Sequence, residues 1–424
     1  MLSESLINKI TRLIDNRKNS IIKFLQYLIR IPSIVGEEKD CTLFCAQKLE
    51  KMGFQIDLWE PDIRYLKNHP AYNSSSETNY ENRPNLVGVL KGTGGGRSIL
   101  LNGHIDVVPP GPLDLWKHDP WSGTIKDDKI FGRGTIDMKG GVAAMIKAVE
   151  FLQMMGIKLK GDVIIECVVD EEGGGNGTLA SVVRGYRADA GVITEPWGIK
   201  NLVIGHRGSL GFRITVEGQA APVNKKAHGV SAIEKMQIIL EALQELKMVR
   251  QETVTHPLYA EYENPVPVII GTIQGGSWLT SVPLRCVIEG FLGWLPNELL
   301  DNIQKNFREY IYKAARSDPW LRQNPPKIEF PSLRIKPCKL DNRHAMIETV
   351  KDSAKSISGQ DIKLIFVNAG ADQWLFNLYG KTPTVQFGPA GGNAHGPDEF
   401  IYISELINCT KILALTLIDW CGHK

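Results

Sequence analysis

The chain has 424 residues, more than one ordinary hydrophobic core accommodates, so we expect two domains or one large domain with an insertion. Its 49 Lys and Arg nearly balance its 47 Asp and Glu, giving a formal charge of +2, and no basic run is long enough to follow a phosphate backbone. This composition argues against nucleic acid as a partner, and the lack of about 18 consecutive apolar residues argues against a membrane-spanning helix.

The first 20 residues alternate charged and apolar side chains, a pattern typical of an amphipathic helix. They lack the continuous apolar segment of a signal peptide. The chain has seven cysteines, an odd number that cannot all pair in disulfides within one chain, and they lack the spacing of a zinc finger. Both features indicate cysteines kept as reduced thiols. We therefore expect a cytoplasmic protein.

Helical and extended patterns alternate along the chain, which predicts an α/β fold. The first helices are predicted at residues 5–28 and 40–52. A strand follows at residues 85–90, and the glycine-rich turn at 91–97 lacks a phosphate-loop signature, so we predict a hairpin to the next strand. The polar segment 62–84 fits either a substrate-side loop or a plain surface loop.

Four further predicted strands each end shortly before a residue that can bind a metal ion. Such ends meet at one edge of an open α/β sheet, where ligands bind. A further acid, Asp137, immediately precedes a predicted helix at residues 142–155, whose N-terminus favours negative charge. The strands are residues 98–102, 162–169, 190–194 and 384–387, and the residues beyond them are His104, Glu171 with Glu172, Glu195 and His395.

Two imidazoles and three carboxylates are the ligand mix expected of zinc with open coordination positions. Two ions suit five ligands best if one carboxylate bridges. His104 and Asp106 lie two apart on an extended segment, so Asp106 can hold the imidazole in the required tautomer. Glu171 can take a proton from a metal-activated water. The candidate ligands are His104, Asp137, Glu172, Glu195 and His395.

Each of these residues also has a purely structural explanation. His104 alone could be a buried histidine with satisfied hydrogen bonds, and Asp137 alone could be a helix cap. Adjacent acids beside glycines, as at Glu171 and Glu172, are common in solvated turns. Their coincidence at the strand ends favours the metal site.

Five motifs resemble those of the dinuclear zinc amidohydrolases, a family that includes acetylornithine deacetylase, succinyl-diaminopimelate desuccinylase, aminoacylase and glutamate carboxypeptidase. They occur in the family's order, and the resemblance extends from about residue 20 to the end of the chain. The motifs are Gly-His-Ile-Asp-Val-Val-Pro, Gly-Arg-Gly-Thr-Ile-Asp-Met-Lys-Gly-Gly, Asp-Glu-Glu-Gly-Gly, Thr-Glu-Pro and Ala-His-Gly-Pro-Asp-Glu.

This resemblance implies two zinc ions bridged by Asp137, although cobalt or manganese would suit the same ligands. It places His104 and Glu195 at one ion and Glu172 and His395 at the other. Glu171 would be the general base, and Asp106 would support His104. The implied activity is hydrolysis, by a zinc-activated water, of the amide bond in a small N-acylated amine or amino acid carrying an acetyl, formyl or succinyl group.

The implied fold is a zinc-peptidase-like catalytic domain with a mainly parallel central sheet, formed by residues 1–207 and 329–424. Residues 208–328 would form an inserted ferredoxin-like α+β lid domain. Their own pattern agrees, because it predicts strands and helices in the order β-α-β-β-α-β. The resemblance further implies that this lid closes over the metals and joins two chains into a homodimer. The predicted elements are residues 210–217, 230–248, 266–273, 285–290, 297–315 and 327–330.

The chain departs from the family pattern mainly in the lid. Pro222 stands where many relatives carry a histidine that reaches the scissile carbonyl from the neighbouring subunit. His228 could substitute for it, or be a surface or helix-start histidine. Gly293 and Trp374 stand where arginines that recognise a carboxylate are frequent, which should weaken recognition of an α-carboxylate.

The remaining predicted substrate contacts are His206 and Arg207, and Trp197 is expected to narrow the pocket. Two alternatives to the deacylase remain open. One is a dipeptidase or carboxypeptidase of the same family, which the missing arginines disfavour. The other is a metal-binding homologue with a ligand-binding or acyl-transfer role, for which Pro222 is the only sequence reason.

Overall fold

The computed structural model describes residues 2–74, 79–221, 229–331 and 333–424. Its helices are α1 Glu4–Asn16, α2 Lys18–Arg30, α3 Lys39–Lys51, α4 Ile63–Leu66, α5 Gly140–Met154, α6 Asn176–Arg184, α7 Ala232–Thr253, α8 Leu300–Ala315, α9 Pro319–Gln323, α10 Ala345–Ser358, α11 Gln373–Leu375 and α12 Ile403–Cys421. Its strands are β1 Gln55–Trp59, β2 Asn85–Leu90, β3 Ile99–His104, β4 Thr124–Lys126, β5 Lys129–Phe131, β6 Val163–Val168, β7 Ala190–Ile193, β8 Asn201–His206, β9 Gly208–Glu217, β10 Val268–Gly275, β11 Arg285–Trp294, β12 Lys327–Glu329, β13 Arg334–Ile335, β14 Cys338–Lys339, β15 Lys363–Val367, β16 Thr384–Gln386, β17 Gly391–Gly392 and β18 Phe400–Tyr402.

A nine-stranded sheet forms the centre of the molecule, in the order β1-β2-β6-β3-β7-β16-β8-β14, with β15 also paired to β8. The neighbours β6, β3, β7 and β16 run parallel, and antiparallel strands flank them. Strands β3 and β6 are buried at every position, as expected of strands covered on both faces. The predicted α/β class with its parallel central strands is confirmed.

The parallel direction brings the candidate ligands to one place. Since β3, β6, β7 and β16 all point the same way, their carboxyl ends lie at the same edge of the sheet. Helix α5 packs beneath this edge and is buried along most of its length, because its sequence is apolar on all sides. A single irregular turn, Thr135–Lys139, precedes α5 and carries Asp137 to the same edge.

A second, fully antiparallel sheet has the order β10-β11-β9-β12, with β13 also paired to β9. Apolar residues of α7 and α8 pack against it and form a separate core. The predicted order β-α-β-β-α-β is present, and the ferredoxin-like part of the fold is confirmed. The limits proposed for this unit, residues 208–328, stay a prediction. The remaining short strands form a small third sheet in the order β17-β18-β5-β4.

Two local predictions are wrong. The single N-terminal helix predicted at residues 5–28 is two helices, because Arg17 leaves helical geometry between α1 and α2. The polar residues 15–19 offer no apolar side chain that would hold one continuous helix against the core. The hairpin predicted after β2 is also absent, since β6 lies between β2 and β3 and pairs with both.

In the parts of the chain that the structure describes, no helix combines the length and apolar character needed to cross a membrane.

Candidate metal centre

The two oxygens of the Asp137 carboxylate face different histidines. His104, the last residue of β3, is buried and places its Nε2 3.1 Å from Asp137 Oδ1 and 3.9 Å from Glu195 Oε1. On the other side, His395 Nε2 lies 3.2 Å from Asp137 Oδ2 and 3.0 Å from Glu172 Oε1. The five candidate ligands thus divide into two groups that share one carboxylate.

This donor set fits two divalent cations. Ligand atoms of His104, Asp137 and Glu172 all lie within 4.8 Å of one another. Imidazole nitrogens and carboxylate oxygens are donors suited to zinc and to neighbouring first-row metals. Each half of the cluster offers one imidazole and one carboxylate besides the shared Asp137, which leaves room for water or substrate at each ion.

Asp106 forms hydrogen bonds with two parts of the cluster, the acidic turn and His104. Its buried carboxylate accepts hydrogen bonds from the backbone N–H of Glu171, at 3.2 Å, and of Glu172, at 3.0 Å. His104 Nδ1 lies 2.9 Å from the Asp106 backbone oxygen, to which it can only donate. This contact fixes the proton on Nδ1 and leaves Nε2 with a free lone pair for a metal ion.

The cluster concentrates negative charge in a buried place. Burial, followed by the charge of Asp137, raises the pKa of Glu195 to about 8. Burial raises the pKa of Asp106 to about 8, and burial with neighbouring carboxylates raises the pKa of Glu171 well above its usual range. Asp137 and Glu172 raise the pKa of His395 to about 10 through hydrogen bonds. Bound cations would supply the positive charge that these carboxylates require.

A buried pair from two of the matched motifs holds the turn that carries Asp137. Glu399 accepts the backbone N–H of Ile136 at 2.9 Å and of Asp137 at 3.3 Å, and Arg133 forms an ion pair with it. Arg133 and Glu399 are each 1 % exposed. The sequence motifs contained both residues, but nothing in their local pattern indicated that they pair.

A second buried network supports the acidic turn and was missed from the sequence. Arg83 binds Glu38 through two hydrogen bonds, at 2.9 and 2.6 Å, and lies 3.4 Å from Asp170 Oδ1. The Tyr80 hydroxyl donates to the other oxygen of Asp170 at 2.6 Å. Asp170 has a φ of 64°, in the left-handed region, where the chain reverses into Glu171. The segment 62–84 therefore includes residues that hold the acidic turn.

A cavity of about 470 Å³ opens above the cluster. Glu171 lines it, which fits its predicted role as base. No Lys or Arg is present among the described residues that line the cavity. Its walls are formed by Ile136, Asp137, Glu171, Glu172, Glu195, Pro196, Trp197, Ala369, Gly370, Ala371, Gly391, Gly392, Asn393, Ala394 and His395.

Two of the predicted substrate residues, His206 and Arg207, are not among the residues that line this cavity. His206 is fully buried, and burial lowers its pKa to about 4. Arg207 donates to the Gly208 carbonyl and to Ser209 Oγ, each at 2.8 Å. Their substrate contacts stay a prediction.

The structure describes both positions at which relatives often carry a carboxylate-binding arginine. Trp374 packs in a buried apolar cluster, and Gly293 lies in β11, where an added Cβ would come within 3.0 Å of the Arg207 guanidinium. Pro222 and His228 lie outside the described residues.

Comparison with known proteins supports the same assignment. Residues 100–419 match the sequence profile described as peptidase family M20/M25/M40. The chain belongs to peptidase family M20/M25/M40. The resemblance inferred from the five motifs is confirmed, and so is the class of enzyme, a metal-dependent amidohydrolase.

This M20 chain is similar over its whole length to curated members. It is 29 % identical over 456 aligned positions to an N-formyl-4-amino-5-aminomethyl-2-methylpyrimidine deformylase of Halalkalibacterium halodurans, covering 99 % of both chains. It is 26 % identical to a succinyl-diaminopimelate desuccinylase of Methylorubrum extorquens, covering 94 % of this chain and 98 % of the other. The structure of the dipeptidase Dug1p from Saccharomyces cerevisiae superposes with a TM-score of 0.80, at 17 % identity and 99 % coverage of both chains, and shows the same fold.

Proposed function

We propose that this chain is a zinc-dependent deformylase that hydrolyses the formamide of a small amine, with an N-formyl aminomethylpyrimidine as the leading candidate. The observation that carries the proposal is the two-part cluster around Asp137, placed below a cavity that Glu171 lines. Such a cluster suits attack of water on an amide carbonyl. The formyl group is the smallest acyl group and needs no carboxylate-binding side chain.

Two observations favour a formamide over a succinyl amide or a peptide. The deformylase described above is more similar to this chain than the desuccinylase described above, at 29 % against 26 % identity. A succinyl group or a peptide C-terminus carries a carboxylate, which a Lys or Arg normally binds. The described part of the cavity wall contains neither residue. A neutral acyl amine therefore suits the cavity better than one that carries a carboxylate, and the similarity to the deformylase favours the formyl group.

The residues divide the chemistry among them. His104, Asp137 and Glu195 would hold one ion, and Asp137, Glu172 and His395 the other. When bound, the ions would lower the pKa of water toward neutrality and polarise the substrate carbonyl. Glu171 would take the proton of the attacking water and return it to the departing amine nitrogen. Asp106 would keep His104 and the acidic turn in position, so the two halves of the cluster keep a fixed spacing.

The test is a substrate panel at equal protein and zinc concentration. It contains one amine carrying a formyl, an acetyl or a succinyl group, together with two dipeptides. The matched control is the same protein after removal of metal with a chelator, assayed before and after zinc is restored. We expect the formamide to have the highest kcat/KM and its hydrolysis to disappear and return with the metal. Faster hydrolysis of the dipeptides would instead support the peptidase alternative, and zinc-loaded protein inactive on every compound would support a non-hydrolytic role.

The second sheet also supports a homodimer. Among the described strands β10 pairs only with β11, so it is the edge strand of this sheet as far as the structure describes it. Apolar side chains of β10 and of its connection to β11 are exposed, and exposed apolar residues next to a sheet edge are common at interfaces. Light scattering on the purified protein should give twice the chain mass of 47.1 kDa. The exposed residues are Ile269, Ile273, Trp278, Leu279 and Leu284.

The cysteines support a reducing compartment. All seven are buried and none forms a disulfide. Proteins with this pattern are typical of the cytoplasm, which we propose as the location.

A further inference from the structure

Trp197 is the one residue with an indole or phenyl ring among the described residues that line the cavity. It lies two positions after the candidate ligand Glu195, and both residues line the cavity. Several other wall positions are Gly or Ala, whose small size leaves room in the cavity for a flat group. Trp197 is half-buried.

A chain of buried hydrogen bonds fixes the orientation of this indole. Trp197 Nε1 donates to Gln386 Oε1 at 2.6 Å, and Gln386 Nε2 donates to Gln373 Oε1 at 2.9 Å. Gln373 Nε2 then donates to the Thr384 carbonyl at 2.7 Å. Both glutamine side chains are fully buried.

The groups at the two ends of this series of hydrogen bonds determine which group donates and which accepts at each step. The indole N–H can only donate, and the Thr384 carbonyl can only accept. Each glutamine amide between them must therefore point its oxygen toward Trp197 and its nitrogen toward Thr384. This order uses the only polar group of the indole, so the rest of the ring is an apolar surface.

The backbone of Trp197 also forms hydrogen bonds. Its N–H donates to the Glu195 carbonyl at 3.0 Å, and its own carbonyl accepts the Asn201 side chain at 2.8 Å. A ring held at both ends loses little conformational freedom when a ligand stacks on it. Its position relative to the ligand Glu195 is also constant.

We infer that Trp197 is a specificity-determining residue that stacks against a planar aromatic amine, and that Gln386 is a positioning residue for it. The inference rests on the proposed hydrolysis of small N-formyl amines and assigns the residue that would select an aromatic one. The formyl carbon would lie at the metal cluster while the aromatic ring lies on the indole. Aliphatic amines of the same size would fill the space without the aromatic contact.

The experiment compares N-benzylformamide with N-(cyclohexylmethyl)formamide, which have similar size but differ in the π face. The proteins are zinc-loaded wild type, Trp197→Phe, Trp197→Leu and Gln386→Leu, each checked for zinc content and thermal unfolding. We expect wild type to prefer the benzyl compound in kcat/KM by on the order of tenfold, the scale of aromatic stacking. Trp197→Phe should keep most of this ratio, Trp197→Leu should bring it close to one, and Gln386→Leu should lower it.

Three outcomes separate the inference from the function on which it rests. A benzyl preference unchanged in Trp197→Leu would overturn the inference while leaving the deformylase intact. If wild type hydrolyses neither formamide, calorimetric binding of the two product amines to wild type and Trp197→Leu decides the inference separately. Tighter binding of benzylamine that is lost in the Leu variant would support it, and equal binding of both amines would overturn it. Because Trp197 is half-buried, its variants remain informative even if Gln386→Leu fails to fold.

Discussion

Replacing Arg83 with methionine should destabilise the protein strongly, because its charge lies between two buried carboxylates. The Arg83 side chain is 3 % exposed, and those of Glu38 and Asp170 are 0 % exposed. Methionine keeps much of the side-chain length but removes the positive charge. Breaking a buried ion pair by removing one partner costs about 3–5 kcal/mol, since the remaining charge stays out of water. We therefore expect a loss of about this size in the free energy of unfolding.

The chain offers a matched control in Arg64→Met. Arg64 and Asp62 also approach to 2.6 Å, but the Arg64 side chain is 82 % exposed. Water already solvates these charges, so this variant should unfold at the wild-type urea concentration. Urea unfolding of the metal-free proteins measures both variants. A loss below about 1 kcal/mol in Arg83→Met, or equal losses in both variants, would refute the argument from burial.

Three further variants test other parts of the account. Asp106→Asn leaves one oxygen for two backbone N–H groups, so zinc affinity measured by chelator competition should fall about 10–100-fold, and an unchanged affinity would contradict its supporting role. Burial raises the pKa of Glu166 from 4.5 to about 7, so its stabilising effect is complete below pH 4.5 and is lost as pH rises through 7. Between pH 5 and pH 8 the wild type should therefore lose about 2.5 kcal/mol of unfolding free energy that Glu166→Gln does not lose, and the same pH dependence in both proteins would contradict this. Asn73 accepts the Arg334 N–H and donates to the Gly174 carbonyl, both across more than 100 residues of chain. Asn73→Ala should cost about 2 kcal/mol or more in urea unfolding, and a cost near zero would contradict the importance of these bonds.

The strand ends were predictable because their signal is local. Strands β3, β6 and β7 are short and mainly apolar, and each has a candidate site residue at its last position or within four positions after it, while His395 follows the end of β16 by nine positions. Parallel strands then bring these ends together without any further information from the sequence. The geometry around Asp137 agrees with this expectation.

The features that were missed depend on distant pairs. Arg83 lies 45 positions from Glu38 and 87 from Asp170, and in the sequence it is one charge in a polar stretch. Strand β6 takes the place between β2 and β3 although about 60 residues separate it from β3, so the local hairpin signal was misleading. The orientation of Trp197 likewise depends on Gln386, 189 positions away.

The most direct test of the central claim is the kcat/KM of zinc-loaded Glu171→Gln on the preferred formamide, with zinc content measured in the same sample. The account predicts that the variant retains two zinc ions per chain and loses about 10²–10⁴-fold in kcat/KM, because the ligands remain while the proton acceptor is gone. A variant that holds two zinc ions and keeps activity within tenfold of wild type would contradict the role of Glu171 and the mechanism built on it.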